Sequence, residues 1–319
     1  MAQVLQHACG TRFVNPRPFD NTEESILYSA HDTIKNETVI IKIQNGDSQN
    51  QIDAATTEAA VYEQISTNNL FVHGFLRLVQ SGEFNGRRYF IFRREGDSAV
   101  ARMEASIPAP AQQPVYMLPL HEVPTFAMQA VRRIEALHDN GFVHRDIRPS
   151  NFIYGPLNTS RRDNLYIFNF GLARQFCEPN GDHVPFAPCH DECRLNLLFA
   201  PEFALRRPTR FRLGRKHDLE SLMYVLVYLV KGTLPWDETE PNARKKISTQ
   251  KKNLVDKNWA RTKFFQGCPP QFEQMFHLIM ATGYSVRPDY NRLVQLLAEI
   301  NVPTAAGSSQ QHAHQQQQH

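Results

Sequence analysis

Within His144-Arg145-Asp146-Ile147-Arg148-Pro149-Ser150-Asn151 a carboxylate, a guanidinium and a carboxamide follow one another closely along the chain. A carboxylate fixed on a loop can accept a hydroxyl proton, a carboxamide oxygen can hold a hard divalent cation, and a guanidinium can face phosphate oxygens. That set suits the transfer of a phosphoryl group to a hydroxyl, a reaction that depends mostly on electrostatic positioning. Either Asp146 or Asn151 alone could arise in any loop; both at this spacing exceed chance. Lys42 ends the apolar run Val39-Ile40-Ile41, and the Glu58 carboxylate could pair with its ammonium. Asn169, before Phe170-Gly171, offers a second amide oxygen.

These groups need elements to place them. Ile26 to Ile43 alternates short apolar runs around a polar break at His31 to Glu37, which predicts two strands and a turn. Ala54 to Ile65 has helical spacing, and Arg87 to Arg93 reads as another strand. Glu95 to Pro114 is rich in Ala, Pro, Ser and Gln, the composition of a connection between two lobes. Phe126, Ala130, Ile134 and Leu137 fall on one helical face between Thr125 and His138, with Pro124 and Gly141 as start and stop signals. Leu219 to Val230 is apolar nearly all round, so its helix should be buried. Thr304 to His319 is small, Gln-rich and His-rich; it cannot bury a core and is expected to be disordered.

With 319 residues the chain can build one large core. Its 35 basic and 32 acidic residues leave a balance of +3, too slight to point to nucleic acid or an anionic membrane. The longest apolar stretch, Leu222 to Val230, is far short of the roughly 20 residues of a membrane span. Met1 to Gly10 lacks the pattern of a secretory signal, so the five cysteines read as reduced thiols and the cytoplasm is the expected location, with nucleus or cytoskeleton reachable through partners. His183, Cys189, His190 and Cys193 could in principle meet at zinc, but adjacent Cys189 and His190 aim poorly at one ion and no CxxC pair accompanies them. A polar loop is the better reading.

The segment from His144 to Asn151 matches the HRDxxxxN catalytic loop, and the chain resembles the protein kinases, most closely the casein kinase 1 and tau-tubulin kinase group. Asn169-Phe170-Gly171-Leu172-Ala173-Arg174-Gln175-Phe176 resembles that group's DFGLARQF at every place but the first, and Val39-Ile40-Ile41-Lys42 resembles its VAIK strand. Phe199-Ala200-Pro201-Glu202 resembles the APE segment, Asp218-Leu219-Glu220-Ser221-Leu222 the start of the buried helix, and Arg287-Pro288-Asp289-Tyr290 the late helix. The resemblance runs from about Phe19 to Ile300. It implies an α+β bilobal kinase fold, with a β-rich N-lobe over residues 1–95 and a larger helical C-lobe over 96–303. It also implies ATP and Mg²⁺ or Mn²⁺ as cofactors if the domain is active. Asp146 would be the base, Lys42, Asn151 and Arg148 its catalytic companions, and Asn151 and Asn169 the metal ligands. Lys42 would pair with Glu58, and Leu27, Ile40 and Phe92 would flank the nucleotide. Tyr62, Phe170 and His144 would stack as an internal spine, Asp218 would hold the catalytic-loop backbone, and Glu202 and Arg287 would form an ion pair.

The departures bear on catalysis. Counted back from Lys42 without a gap, the GxGxxG loop falls on Asp20, Thr22 and Ser25, so all three glycines are absent. Cβ-bearing residues keep the backbone from closing on phosphates, and Asp20, Glu23 and Glu24 add carboxylates where a triphosphate would sit. Ile40 crowds the place of the alanine above adenine, and Asn169 replaces the aspartate that would bridge Mg²⁺ to the phosphates. Arg148 stands where these kinases usually carry Lys. Between Gly171 and Glu202 there is no Ser, Thr or Tyr, which excludes activation by phosphorylation there and leaves Arg145 to find a fixed acid such as Asp182, Asp191 or Glu192. Leu195 and Asn196 replace a Gly and a Thr before the substrate turn; the apolar run could reshape the groove, contact a protein or simply pack. The expectation is a pseudokinase that binds nucleotide weakly or not at all and acts through protein partners, including as an allosteric partner of an active kinase. The alternative is a divergent, slow Ser/Thr kinase using Asp146.

Overall fold

The computed structural model describes every residue except 22–24, 47, 70–73, 106–116, 179, 189–194, 207–211, 237–242 and 302–319. The Gln/His-rich tail, Thr22 and three of the four cysteine and histidine residues weighed for zinc therefore lie outside the described residues. Helix α1 (Ala2–Cys9) leads into β1 (Phe13–Asn21), β2 (Ser25–Asp32), β3 (Glu37–Gln44), α2 (Gln49–Thr67), β4 (Leu78–Phe84) and β5 (Arg87–Arg93). The five strands form one antiparallel sheet in the order β1-β2-β3-β5-β4. Strand alternation decides its two faces. Val39, Ile41 and Ile43 are fully buried beside Val4 and Ala8 of α1, so Ile40 and Lys42 fall on the opposite face. Strand β5 divides likewise, with Tyr89 and Ile91 joining the α1 side and Phe90 and Phe92 the main core.

The predicted strands and helices are present. The predicted Ala54–Ile65 helix is the inner part of α2, whose start is fixed by a capping box in which the Ser48 amide donates to Gln51 Oε1 at 3.2 Å. The helical part comprises α3 (Ala99–Ala105), α4 (Val123–Asp139), α5 (Glu202–Leu205), α6 (Arg215–Lys231), α7 (Ala243–Asp256), α8 (Asn258–Phe265), α9 (Pro270–Ala281) and α10 (Tyr290–Ala298). Short pairs β6 (Phe142–Val143) with β9 (Arg174–Gln175) and β7 (Phe152–Tyr154) with β8 (Leu165–Ile167) frame the loops between α4 and α5. Helix α6 is buried along most of its length, as its all-round apolarity requires, and ends at Gly232 in the left-handed region. The Glu95–Pro114 connection carries α3 in its first half.

The expected Glu202–Arg287 ion pair is not formed. Arg206, one helical turn beyond Glu202 on α5, reaches both of its carboxylate oxygens at 2.5–3.0 Å. Arg287 instead pairs with Glu135 at 2.9 Å and Asp139 at 3.0 Å, an i,i+4 couple at the end of α4. Glu202 took the cation one turn along its own segment, and Arg287 the two acids that α4 presents.

Strand β2 ends on Asp32, which is fully buried and gripped in two places by Arg12, at 2.9 and 2.6 Å, while accepting from the Ile34 amide at 3.0 Å. The Arg12 hydrogen bonds hold its carboxyl down at about 2. A carboxyl depressed on folding adds stability above its unfolded pKa of about 4 and loses it as pH falls through the folded value. Asp32→Asn should lower the urea midpoint at neutral pH, and its deficit against the parent chain should close between about pH 4 and about pH 2. A deficit unchanged at the lower pH would refute this.

Candidate active site

The opposite face of the sheet and the loops beside α4 enclose a cavity of about 500 Å³. Lys42, on the face away from α1, meets Glu58 of α2 at 2.6 Å, so the pair suggested by spacing is formed. Glu58 is buried and faces the sheet because α2 puts Val61, Tyr62 and Ile65 on the same inward side. Beneath the pair, Tyr62, Phe170 and His144 stack as expected, with Phe170 5.3 Å from Tyr62 and 5.4 Å from His144. Phe75 joins the stack at 5.9 Å.

The catalytic-type loop is tied down from below. Asp218, near the start of α6, accepts the His144 amide at 2.6 Å, the Arg145 amide at 2.8 Å and His138 Nε2 at 2.9 Å. Burial works to raise the Asp218 carboxyl, but the hydrogen bonds and the neighbouring imidazoles outweigh it and keep it below its ordinary value. Burial lowers His138, and its Nδ1 lies 2.6 Å from the Tyr290 hydroxyl. These contacts hold Arg145 in a left-handed conformation, φ 70°, and so aim the next residue, Asp146, into the cavity.

From Lys42 the side chains run on as one hydrogen-bonded chain. Lys42 Nζ donates to Asn169 Oδ1 at 3.1 Å, Asn169 Nδ2 to Asn151 Oδ1 at 3.1 Å, and Asn151 Nδ2 to Asp146 Oδ2 at 2.8 Å and to the Asp146 carbonyl at 2.7 Å. Both amide orientations are forced. An ammonium can only donate at one end and a carboxylate can only accept at the other, so no flip of Asn151 or Asn169 satisfies the chain. Asn169 has φ 69° and ψ 66°, a left-handed conformation that Asn tolerates better than most residues. Arg148 lies 3.1 Å from the same Asp146 Oδ2, leaving Asp146 Oδ1 with no partner among the described residues and available to a hydroxyl.

This arrangement does not fit Mg²⁺. The two oxygens expected to hold the ion, on Asn151 and Asn169, are both neutral, and each is already engaged: Asn151 Oδ1 by an amide N–H, Asn169 Oδ1 by an ammonium. A hard divalent cation prefers anionic oxygens with lone pairs facing it. The Asn169 side chain instead bridges the gap between Lys42 and the catalytic-type loop.

Asp20, Ser25 and Leu27 line the cavity with Lys42 and Glu58. Ile40 and Phe92, expected near the nucleotide, are partners across β3 and β5 and are not among its lining residues. Phe92 is buried in the core, its ring 5.0 Å from Tyr62. Leu195 and Asn196 line the cavity, while Leu197 and Leu198 pack against the main core, so the bland packing role accounts for part of the apolar run. Asp182, one candidate partner for Arg145, accepts from Asn180 Nδ2 at 2.7 Å; Asp191 and Glu192 lie outside the described residues. Gln44 and Gln51 also reach the cavity. No motif marks them, and only the last position of β3 and the first turn of α2 could have suggested them.

The protein kinase domain family profile matches residues 23–297. A probable serine/threonine-protein kinase of Dictyostelium discoideum is 28% identical over 271 residues, covering 85% of this chain and 50% of the relative. Serine/threonine-protein kinase spe-6 of Caenorhabditis elegans is 26% identical over 276 residues, covering 86% of this chain and 68% of its own length. The chain thus spans about half the length of the Dictyostelium relative. The solved structure of vaccinia related kinase 3 superposes with a TM-score of 0.67 at 20% identity, covering 89% of this chain and 88% of that one, a likeness of fold. A β-rich part and a helical part joined across a cleft, the Lys42–Glu58 pair and the Asp218-anchored loop agree with that match, and the chain belongs to the protein kinase family.

Proposed function

We propose that this kinase domain is a casein kinase 1 or tau-tubulin kinase-like pseudokinase, acting through protein contacts with weak or absent nucleotide binding and phosphoryl transfer. The observation that carries the reading is the Asn169 amide, bonded to Lys42 on one side and Asn151 on the other. Nucleotide with its metal would have to break both bonds and would gain no carboxylate at Asn169 in return. Asp20 beside the cavity adds negative charge where phosphates would approach. Protein partners in the cytoplasm are the corresponding expectation. A thermal-shift titration tests it: ATP at millimolar concentration, with or without Mg²⁺ or Mn²⁺, should leave the unfolding temperature of the parent chain unchanged. A metal-dependent rise would defeat the proposal.

A second reading, a slow Ser/Thr kinase, draws support from the formed Lys42–Glu58 pair and from the unengaged Asp146 Oδ1. The named relatives are Ser/Thr kinases. It requires radiolabel transfer to a protein that Asp146→Ala abolishes.

A further inference from the structure

A second cavity, of about 360 Å³, shares no described lining residue with the cleft and sits where the end of β5 meets α4 and the β7–β8 connection. Among the described residues its walls carry Arg77, Arg93, Arg133 and Arg161, with Glu95 as the one acid. Glu95 is nearly inaccessible and already saturated. Arg93 grips its Oε1 at 2.9 and 2.6 Å, and Arg161 reaches Oε1 at 3.2 Å and Oε2 at 3.0 Å. Arg133 has only neutral partners, the Leu165 carbonyl at 2.9 Å and Gln129 Oε1 at 3.2 Å. Arg77 is exposed, and its guanidinium pairs with no side chain among the described residues. Among the described lining residues, four cations against one anion leave a surplus of three positive charges.

That surplus is built in. Gly74 has φ +90°, and a Cβ there would lie 1.8 Å from Arg133 Nε, so the missing side chain is what lets the guanidinium lie against the backbone. Burial pushes the Arg133 guanidinium pKa down, the direction expected of a cation whose charge is not matched nearby. Planar guanidinium forks match the oxygens of a phosphate, and a doubly charged group would relieve their mutual repulsion.

We propose that this cavity binds a phosphomonoester dianion, contacted by Arg77 and Arg133 and backed by the Glu95-fixed guanidiniums of Arg93 and Arg161. The proposal stands whether or not the cleft transfers phosphate. The group could belong to a phosphorylated small molecule or to a phosphorylated side chain, and both present the same oxygens.

Inorganic phosphate titrated calorimetrically into the full chain at neutral pH and low ionic strength should bind saturably. Affinity should fall roughly tenfold in Arg77→Gln, whose guanidinium has no hydrogen bond or ion pair among the described residues, and similarly in Arg133→Gln. It should be unchanged in Arg148→Gln, which removes a cation from the cleft instead. It should also weaken at about pH 5, where inorganic phosphate and phosphomonoesters alike carry nearer one charge than two. A sugar phosphate and a phosphoserine peptide, compared with inorganic phosphate, then tell which substituent the cavity accepts. Equal affinity in Arg77→Gln and the parent chain, equal loss in Arg148→Gln, or no saturable binding at millimolar phosphate would each overturn the assignment.

Discussion

Lys251→Met is expected to destabilise the fold by about 3–5 kcal/mol, more than any exposed substitution, because it leaves buried acceptors and carboxylates without their cation. Lys251 lies on α7 with no exposed surface. Its ammonium donates to the carbonyls of Leu197 at 2.8 Å, Leu198 at 3.1 Å and Ala200 at 2.6 Å, using all three of its donors. Tyr224 and Trp236 face the same nitrogen at 4.6 and 5.0 Å. Burial pulls the ammonium below its ordinary value, while Glu220 and then Glu202 pull it back up. Burial likewise raises Glu220, although that residue accepts from the Tyr224 hydroxyl at 2.6 Å and the Glu202 amide at 2.7 Å. The side chain thereby fixes the turn that in an active kinase borders the substrate. Urea unfolding measures the cost, and hydrogen exchange at Leu198 to Ala200 should quicken in the variant. Adding Glu220→Gln should recover at least about 1 kcal/mol relative to additivity, since it removes the acid stranded by the first change. A loss below about 1 kcal/mol for Lys251→Met would show that the three carbonyls find other partners.

Asn169→Asp should give the domain a stronger response to divalent cations than the parent chain has. The substitution deletes the N–H that now joins Asn169 to Asn151 and sets a carboxylate oxygen about where that nitrogen was, facing Asn151 Oδ1. Two oxygens in contact repel unless a cation lies between them, and Mg²⁺ or Mn²⁺ favours such a site. Without metal the variant should unfold at a lower temperature than the parent. With ion at about 100 times its Kd it should regain about 2.7 kcal/mol, a rise of several degrees that the parent chain lacks. Absence of any metal-dependent rise in Asn169→Asp, with the protein folded, would show that a carboxylate at this position does not by itself build a metal site.

The sequence alone determined the order of elements and the places of the chemical groups. Arg87–Arg93 is the strand that its composition predicts, Phe126 to Leu137 lies along one buried helical face, and Asp146, Asn151, Lys42 and Glu58 converge as their motifs imply. Periodicity and motif spacing describe the backbone, and the backbone carries these residues wherever it goes. Helix α1 was not legible, because eight residues at the start of the chain reveal an apolar stripe only once Val39, Ile41 and Ile43 supply a surface for Val4 and Ala8.

Pairings between side chains were the tertiary structure's decision. Glu202 and Arg287 both sit at their motif positions, yet Arg206 is nearer to one and the Glu135–Asp139 couple to the other. Lys251 belongs to no motif, and its role exists only because α7 packs under the Leu197–Ala200 turn and beside α6. The sequence identified Asn169 as a lost carboxylate, whereas its orientation was fixed by the donor-only ammonium of Lys42 and the acceptor-only carboxylate of Asp146 at the two ends of the chain of hydrogen bonds. Such partners lie more than a hundred residues apart in the case of Lys42 and Asn169, so only folding brings them within reach and decides which donor meets which acceptor.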